Sequence, residues 1–335
     1  VQGKRGVSAM KKRYIPLPGY REYLTIGLLI IELVLFSILS DSFFTSTNLT
    51  RIIQNSAELA IVSIGMTMVI IMGGIDLSVG SVLGICAIVV GQMLTAGVNP
   101  VLILLAVMMI GAVVGLINGG LIAFLKMPDI IVTLATMNIW RAVVFAMLGG
   151  AWITGLPPVF GGVTSGSVLG FPVVFLLVLL LYVIFWYVMT FRSFGRHIYA
   201  IGTNEEAAKL AGIKVTRTRV MTYAALGVIV GFASILYTSR MGSVEMTVGT
   251  DLSLQSIAAV VIGGTAITGG RGSLVGTLAG VLFIAVMRNG IVILGVPSLL
   301  EKAIIGTLIL LSVITDIVLQ HRLKQRRMLR VEAAA

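Results

Sequence analysis

The sequence predicts an all-α, polytopic integral membrane protein of about ten transmembrane helices with both termini cytoplasmic. Three observations carry this reading. Of 335 residues, 58% are hydrophobic and only 11% are charged, against about 25% charged in an ordinary soluble domain. Apolar runs long enough to cross a hydrocarbon core of about 30 Å recur along the whole chain. The basic residues, finally, are clustered: of 24 Lys and Arg, six precede the first run, six fall between Arg192 and Arg219, and five between Arg322 and Arg330. A topology that puts these three segments on one side obeys the positive-inside rule.

The elements follow in order. Residues 1–23 form a basic cytoplasmic leader, 24–318 the transmembrane domain, and 319–335 a basic cytoplasmic tail. Predicted spans lie near 24–40, 55–72, 79–96, 101–124, 129–148, 171–190, 219–239, 252–268, 274–293 and 299–318, with a long cytoplasmic loop at 191–218. The first run is expected to be retained, because Ser37 to Asp41 is followed by bulky Phe43 and Phe44 and offers no small-x-small cleavage pattern. Loops 41–50, 97–100, 149–170, 240–251 and 294–298 fall on the opposite side and carry only Arg240 among basic residues. Arg51, Arg141, Arg288 and Lys302 must sit near span ends or face the protein interior, since a charge in lipid costs at least ~2.5 kcal/mol.

Composition also excludes function classes. The net charge of +11 is explained by topology and anionic lipid head groups, so nucleic acid is not an expected partner. Cys86 is the single cysteine, which excludes an intramolecular disulfide and a cysteine metal cluster. No Gly-x-x-x-x-Gly-Lys-Ser/Thr phosphate loop occurs, so ATP is not expected to be hydrolysed on this chain. The two histidines, His197 and His321, have neither metal nor triad spacing, and the intramembrane carboxylate candidates Glu32 and Glu58 form no paired array. An enzyme reading finds no reactive constellation.

Four segments hold candidate functional residues. Gly73-Gly74-Ile75-Asp76-Leu77-Ser78-Val79-Gly80-Ser81 is a helix-weak polar stretch between apolar runs, where irregular backbone must be buried in protein or line water. Asp76 and Ser78 either furnish a pathway or gate, or Asp76 caps the next helix by accepting from the N–H groups near Ser78 and Val79. Gly263-Gly264, leading into Gly272-Ser273-Leu274-Val275-Gly276, echoes Gly73-Gly74 leading into Gly80 to Gly84. Paired interruptions of this kind mark either broken helices around a transport path or plain turns. Asn204-Glu205-Glu206-Ala207-Ala208-Lys209-Leu210-Ala211-Gly212 reads as a short capped helix, too short to be stable unaided, that docks on its own chain or in a partner's groove. Thr133, Thr136 and Trp140 share a helix face, with Thr133 and Thr136 either bonding carbonyls or touching solute; Trp152 either stacks on a sugar or anchors at the interface.

At these motifs the chain resembles the permease subunits of bacterial sugar ABC importers, the group with the ribose permease and the permeases for rhamnose and the furanone autoinducer. The resemblance covers nearly all of 24–318. Its most specific blocks are Gly65-Met66-Thr67 with Gly73 to Ser81, Gly195 to Gly202 with Asn204 to Ala208 and Gly212-Ile213, and Ala258 to Gly264 followed by Gly269-Gly270. The resemblance implies a bacterial inner-membrane subunit that pairs with a second, identical or homologous permease. It implies two cytoplasmic ATPase subunits, or one fused double ATPase, which bind ATP and magnesium while this chain binds no cofactor. A periplasmic or lipid-anchored binding protein delivers the sugar. Asn204 to Gly212 then looks like the coupling helix seated in the ATPase, and Gly73, Gly74, Asp76, Ser78, Gly263 and Gly264 like pathway or gate. The loop Gly149 to Pro157 looks closer to the autoinducer and rhamnose permeases than to the ribose permease, making a deoxysugar or furanone-type solute worth testing. The rival reading is a stand-alone secondary carrier or facilitator for a small polar solute.

Overall fold

A computed structural model describes residues 20–297 and eight further positions between 300 and 314. The leader before residue 20, most of the tenth predicted span and the basic tail lie outside the described residues. The elements are α1 (Tyr20–Leu39), α2 (Ser46–Ile71), α3 (Val79–Thr95), α4 (Pro100–Leu125), α5 (Asp129–Leu148), the single turn α6 (Gly161–Thr164) and the small antiparallel hairpin β1 (Ser167–Val168) and β2 (Phe171–Pro172). They continue as α7 (Val173–Phe191), α8 (Ser193–Thr203), α9 (Glu205–Leu210), α10 (Val215–Met241), α11 (Leu252–Ile262) and α12 (Leu274–Ile293).

Among the described residues, seven helices are long and apolar enough to cross a membrane: α1, α2, α4, α5, α7, α10 and α12. The α3 helix, at 17 residues, is slightly short, and α11 has only 11. At 1.5 Å per residue α11 covers about 16 Å, roughly half of a hydrocarbon core. The expected span over 252–268 therefore stops early. Its helix ends at Ile262 because Gly263-Gly264 follows and Gly264 takes a left-handed backbone, φ +91°.

Local signals account for the other ends. Thr45 caps α2 by accepting from the Asn48 N–H, which starts that helix nine residues before the predicted span at residue 55. Asn99 caps α4 immediately before Pro100, whose missing N–H costs nothing in a first turn. Ser273 caps α12 through the Gly276 N–H.

Two layers result. The α2 segment is 83% buried, and α10 and α12 are mostly buried, whereas α1 is 17% buried and α4, α5 and α7 turn leucine, isoleucine, valine and phenylalanine outward. The first set is the protein core and the second its lipid-facing shell. The most extensive helix contact joins α4 to α10. Gly111 and Gly227 meet backbone to backbone, Gly115 and Gly119 lie against Tyr223 and Val220, and Gly231 against Val107; a Cβ at any of these glycines would collide with the opposite helix. Small residues at four-residue spacing allow this approach, since lipid supplies no hydrophobic drive between helices.

Candidate functional site

Residues of α2, α10, α11 and α12 enclose a polar cavity of about 600 Å³. Asn55, Ser56 and Glu58 of α2 face Tyr237 and Arg240 of α10, with Gln255 of α11 and Arg288 and Asn289 of α12 on the remaining wall. Glu58 is buried, and its Oε1 accepts from Arg240 Nε at 2.8 Å, while Arg240 Nη1 donates to Asn55 Oδ1 at 3.1 Å. Arg288 Nη1 donates to Gln255 Oε1 at 3.3 Å. Asn289 exchanges amide hydrogen bonds of 2.8 and 2.9 Å with Asn48. Charges expensive in lipid are thus gathered on an inner wall where each has a polar partner.

The segment between α10 and α11 forms the cavity's other side and its floor. It begins after Gly242, whose left-handed backbone ends α10, and contributes Glu245, Thr247, Gly249, Thr250 and Asp251. Val244 pairs with Ile153 of the 149–170 loop through bonds of 3.1 and 2.8 Å. Arg141 of α5 donates to the carbonyls of Met246 at 3.3 Å and Val248 at 2.8 Å. Gly91 of α3 lies against Ile153 and Val244, whereas Gly80 of the same helix lies against Gly249. Eleven helical residues separate those contacts, about 16 Å of rise, so this segment runs alongside α3 from Gly91 to Gly80. There the backbones of Gly80 and Gly249 touch, the Gly80 N–H donates to Ser253 Oγ at 3.0 Å, and Ser253 Oγ donates to the Leu77 carbonyl at 2.8 Å.

Beneath this floor lies a second polar knot. Asp76 Oδ1 accepts from the Ser78 N–H at 2.8 Å and from Ser78 Oγ at 2.6 Å, and Asn118 Nδ2 donates to Ser78 Oγ at 2.8 Å. Tyr223 donates to Asp129 Oδ2 at 2.5 Å, and Thr133 Oγ1 donates to the carbonyls of Asp129 at 2.9 Å and Ile75 at 3.2 Å. The space at Asp76, Ser78, Asn118 and Tyr223 measures about 10 Å³, room for about one water and not for a sugar ring.

On the basic side, α8 and α9 form an appendage on the bundle. Asn204 caps α9 through the Ala207 N–H at 3.0 Å, Lys209 bridges Glu205 at 2.9 Å and Glu206 at 2.8 Å, and Glu205 also reaches Arg219 of α10 at 2.8 Å. Bonding first from Lys209 and then from Arg219 holds the Glu205 carboxyl below its usual range against opposing desolvation. Gly212, at φ +82°, turns the chain out of α9. Ala208 is buried against its own chain, whereas Leu210 is 90% exposed. Both docking readings therefore find a face. Just before α9, Gly202 of α8 lies against the Ile71 carbonyl that ends α2 and against Gly270, whose N–H donates to that carbonyl at 2.7 Å.

A family model described as the permease component of a branched-chain amino acid transport system matches residues 48–313. The chain belongs to this permease family. Among curated relatives, the ribose import permease of Bacillus subtilis is 43% identical over 290 residues, covering 86% of this chain and 90% of the relative. The ribose import permease of Escherichia coli K12 is 35% identical over 309 residues, covering 91% and 96%. An autoinducer 2 import permease of Salmonella choleraesuis is 33% identical over 276 residues, covering 82% and 79%. No solved structure matches the chain. The protein is a multi-pass inner-membrane permease subunit, a transport component and not an enzyme.

Within the permease the candidate residues separate. Gly73, at φ +93°, touches Gly269, while Gly74 packs on Asp129 and Tyr223. Gly263 packs on the Gly276 backbone of α12. Asp76 accepts from Ser78 and not from Val79, which makes it the organiser of a turn before α3. Thr133 and Thr136 are buried and bond backbone carbonyls, and Trp152 is 61% exposed on the outer loop. None of these residues lines the large cavity. Its wall includes Glu58, Arg240 and Arg288, for which the usable sequence signal was a lone outer-side arginine and two charges inside apolar runs. The packing side of α8 was also missed, because its buried Gly195, Ile198 and Ile201 lie inside a loop read for its basic charge.

Proposed function

We propose that the cavity is the outward vestibule of the translocation path and that its solute is a neutral, pentose-like sugar. What supports this is a polar cavity lined by the 242–251 segment, which the charge pattern predicts to be on the outer side, with backbone contact between Gly80 and Gly249 at its floor. Amides, hydroxyls and paired charges supply donors and acceptors for several hydroxyl groups without an unbalanced positive charge. Higher identity to a ribose permease than to an autoinducer 2 permease supports the pentose class. In this reading Asn204 to Gly212 is the coupling element, which seats Leu210 and Glu206 in a cytoplasmic ATPase. Two ATPase subunits, or one fused double ATPase, bind ATP and magnesium, and their closure is transmitted through Gly202 to the ends of α2 and the 269–272 turn. A second permease, identical or homologous, completes the path, and an extracytoplasmic binding protein delivers the sugar. Asp76, Ser78 and the glycine pairs at 73–74 and 263–264 act as the hinge below the vestibule.

The test is purification of the tagged permease from its native membrane with its associated chains, followed by uptake of labelled D-ribose into proteoliposomes. Uptake that requires ATP and is stopped by vanadate is the expected result. Vanadate-insensitive uptake by this chain alone would establish the secondary-carrier alternative instead.

A further inference from the structure

The cavity contains two guanidinium groups, and guanidinium is the side chain best shaped to hold a phosphate or carboxylate. A cavity for phosphorylated or acidic sugars would be built around just such groups. The arrangement here cancels one of them. Glu58 lies behind Arg240, buried, and takes Nε at 2.8 Å, while Asn55 takes Nη1 at 3.1 Å. The remaining N–H groups of Arg240 have no hydrogen-bond partner among the described residues, and the side chain, about a quarter exposed, lines the cavity. Three carboxylates, Glu58, Glu245 and Asp251, line the cavity together with Arg240 and Arg288. Paired with Glu58, Arg240 presents no net charge to an entering anion.

We propose that Glu58 is the specificity-determining residue of the permease: by neutralising Arg240 from behind, it converts an anion site into an uncharged cluster of hydroxyl donors, so that the cavity admits neutral polyols and refuses phosphorylated or carboxylated ones. This rests on reading the cavity as the solute pathway. Arg240 keeps its directional N–H donors for sugar hydroxyls, and Glu58 removes the net attraction that would hold an anion in place.

The test uses the whole permease in phosphatidylcholine nanodiscs and equilibrium binding of radiolabelled inorganic phosphate, with thermal unfolding recorded for each variant. Intact protein is expected to bind no phosphate beyond the level of its surface. Glu58→Gln, nearly isosteric, leaves Arg240 charged and unpaired and is expected to raise saturable phosphate binding about tenfold or more. Adding Arg240→Gln to that variant is expected to abolish the gain. Glu58→Asp, which draws the carboxylate away from Arg240, replaces the glutamine variant should it not fold, with a smaller gain expected. Folded variants that bind no more phosphate than the intact protein, or a double variant that keeps the gain, would overturn the proposal. A parallel uptake assay separates this from the solute assignment: in the assembled importer, D-ribose 5-phosphate should inhibit D-ribose uptake by Glu58→Gln and not by the intact protein. Absence of ribose uptake together with the phosphate gain rejects the pentose assignment alone, whereas ribose uptake without that gain rejects the role of Glu58 alone.

Discussion

Asp76, at the centre of a motif, is bonded to its own neighbours in the chain. Its carboxylate accepts two bonds from Ser78, and Ser78 in turn accepts from Asn118 of α4. That chain of bonds ties the turn before α3 to the helix pair α4 and α10. Replacing Asp76 with alanine leaves the buried Ser78 N–H and hydroxyl without their acceptor, at a cost of about 1–3 kcal/mol for each orphaned group. The predicted result is a lowered unfolding temperature in detergent and a reduced maximal uptake rate, with the half-saturating sugar concentration unchanged. A raised half-saturating concentration in a normally stable variant would place Asp76 in contact with the sugar instead. The space of about 10 Å³ beside it argues against such contact.

Among the elements, α9 carries the clearest division of labour. Its inner side is held by Ala208, by the Glu205–Arg219 bridge and by the Asn204 cap, whereas Leu210 stands free of its own chain. Leu210→Asp should therefore leave insertion and folding intact and weaken ATPase retention during purification by about tenfold, since burying a leucine contributes about 1.5–3 kcal/mol. Retention equal to the intact permease would remove α9 from the coupling interface. Reversing Glu205 is a poorer probe, because it also breaks the bond to Arg219. Much of this element was legible beforehand: the cap, the acidic first turn and Gly212 are local signals that act over a few residues. The same holds for Gly264, which ends α11. What was not legible depends on tertiary placement. The glycines at 111, 115 and 119 show their spacing in the sequence, but nothing local says that they meet Gly227, Tyr223 and Val220 on α10. Residues 240–251 read as an outer loop, yet from Gly242 onward they run along α3, where Arg141 and Gly80 receive their backbone. For that reason the cavity they help line was missed, while Glu58, Arg240 and Arg288 were noticed one by one.

For the whole molecule, the two glycine-rich interruptions and the basic-side helices converge on one junction. The end of α2, Gly202 of α8 and the 269–270 turn are in mutual backbone contact, and Tyr199 donates to the Gly272 carbonyl at 2.8 Å. Motion of α8 and α9 therefore has a backbone path to both sides of the cavity floor, through α2 and the turn before α3 on one side and through the turn before α12 on the other. Backbone contacts transmit such a shift well because packed interfaces move between discrete arrangements and do not deform continuously. In the proposed pathway, the contacts of Gly80 with Gly249 and of Leu77 with Ser253 separate when a solute passes. Cysteines placed at Leu77 and Ser253 and joined by a short bifunctional thiol reagent should hold them together. The expected outcome is loss of ATP-dependent uptake on cross-linking, its return on reduction, and unaltered association with the ATPase throughout. Undiminished uptake with complete cross-linking would show that solute bypasses this floor. Either single cysteine treated with the same reagent should retain uptake, which separates a locked floor from a damaged one.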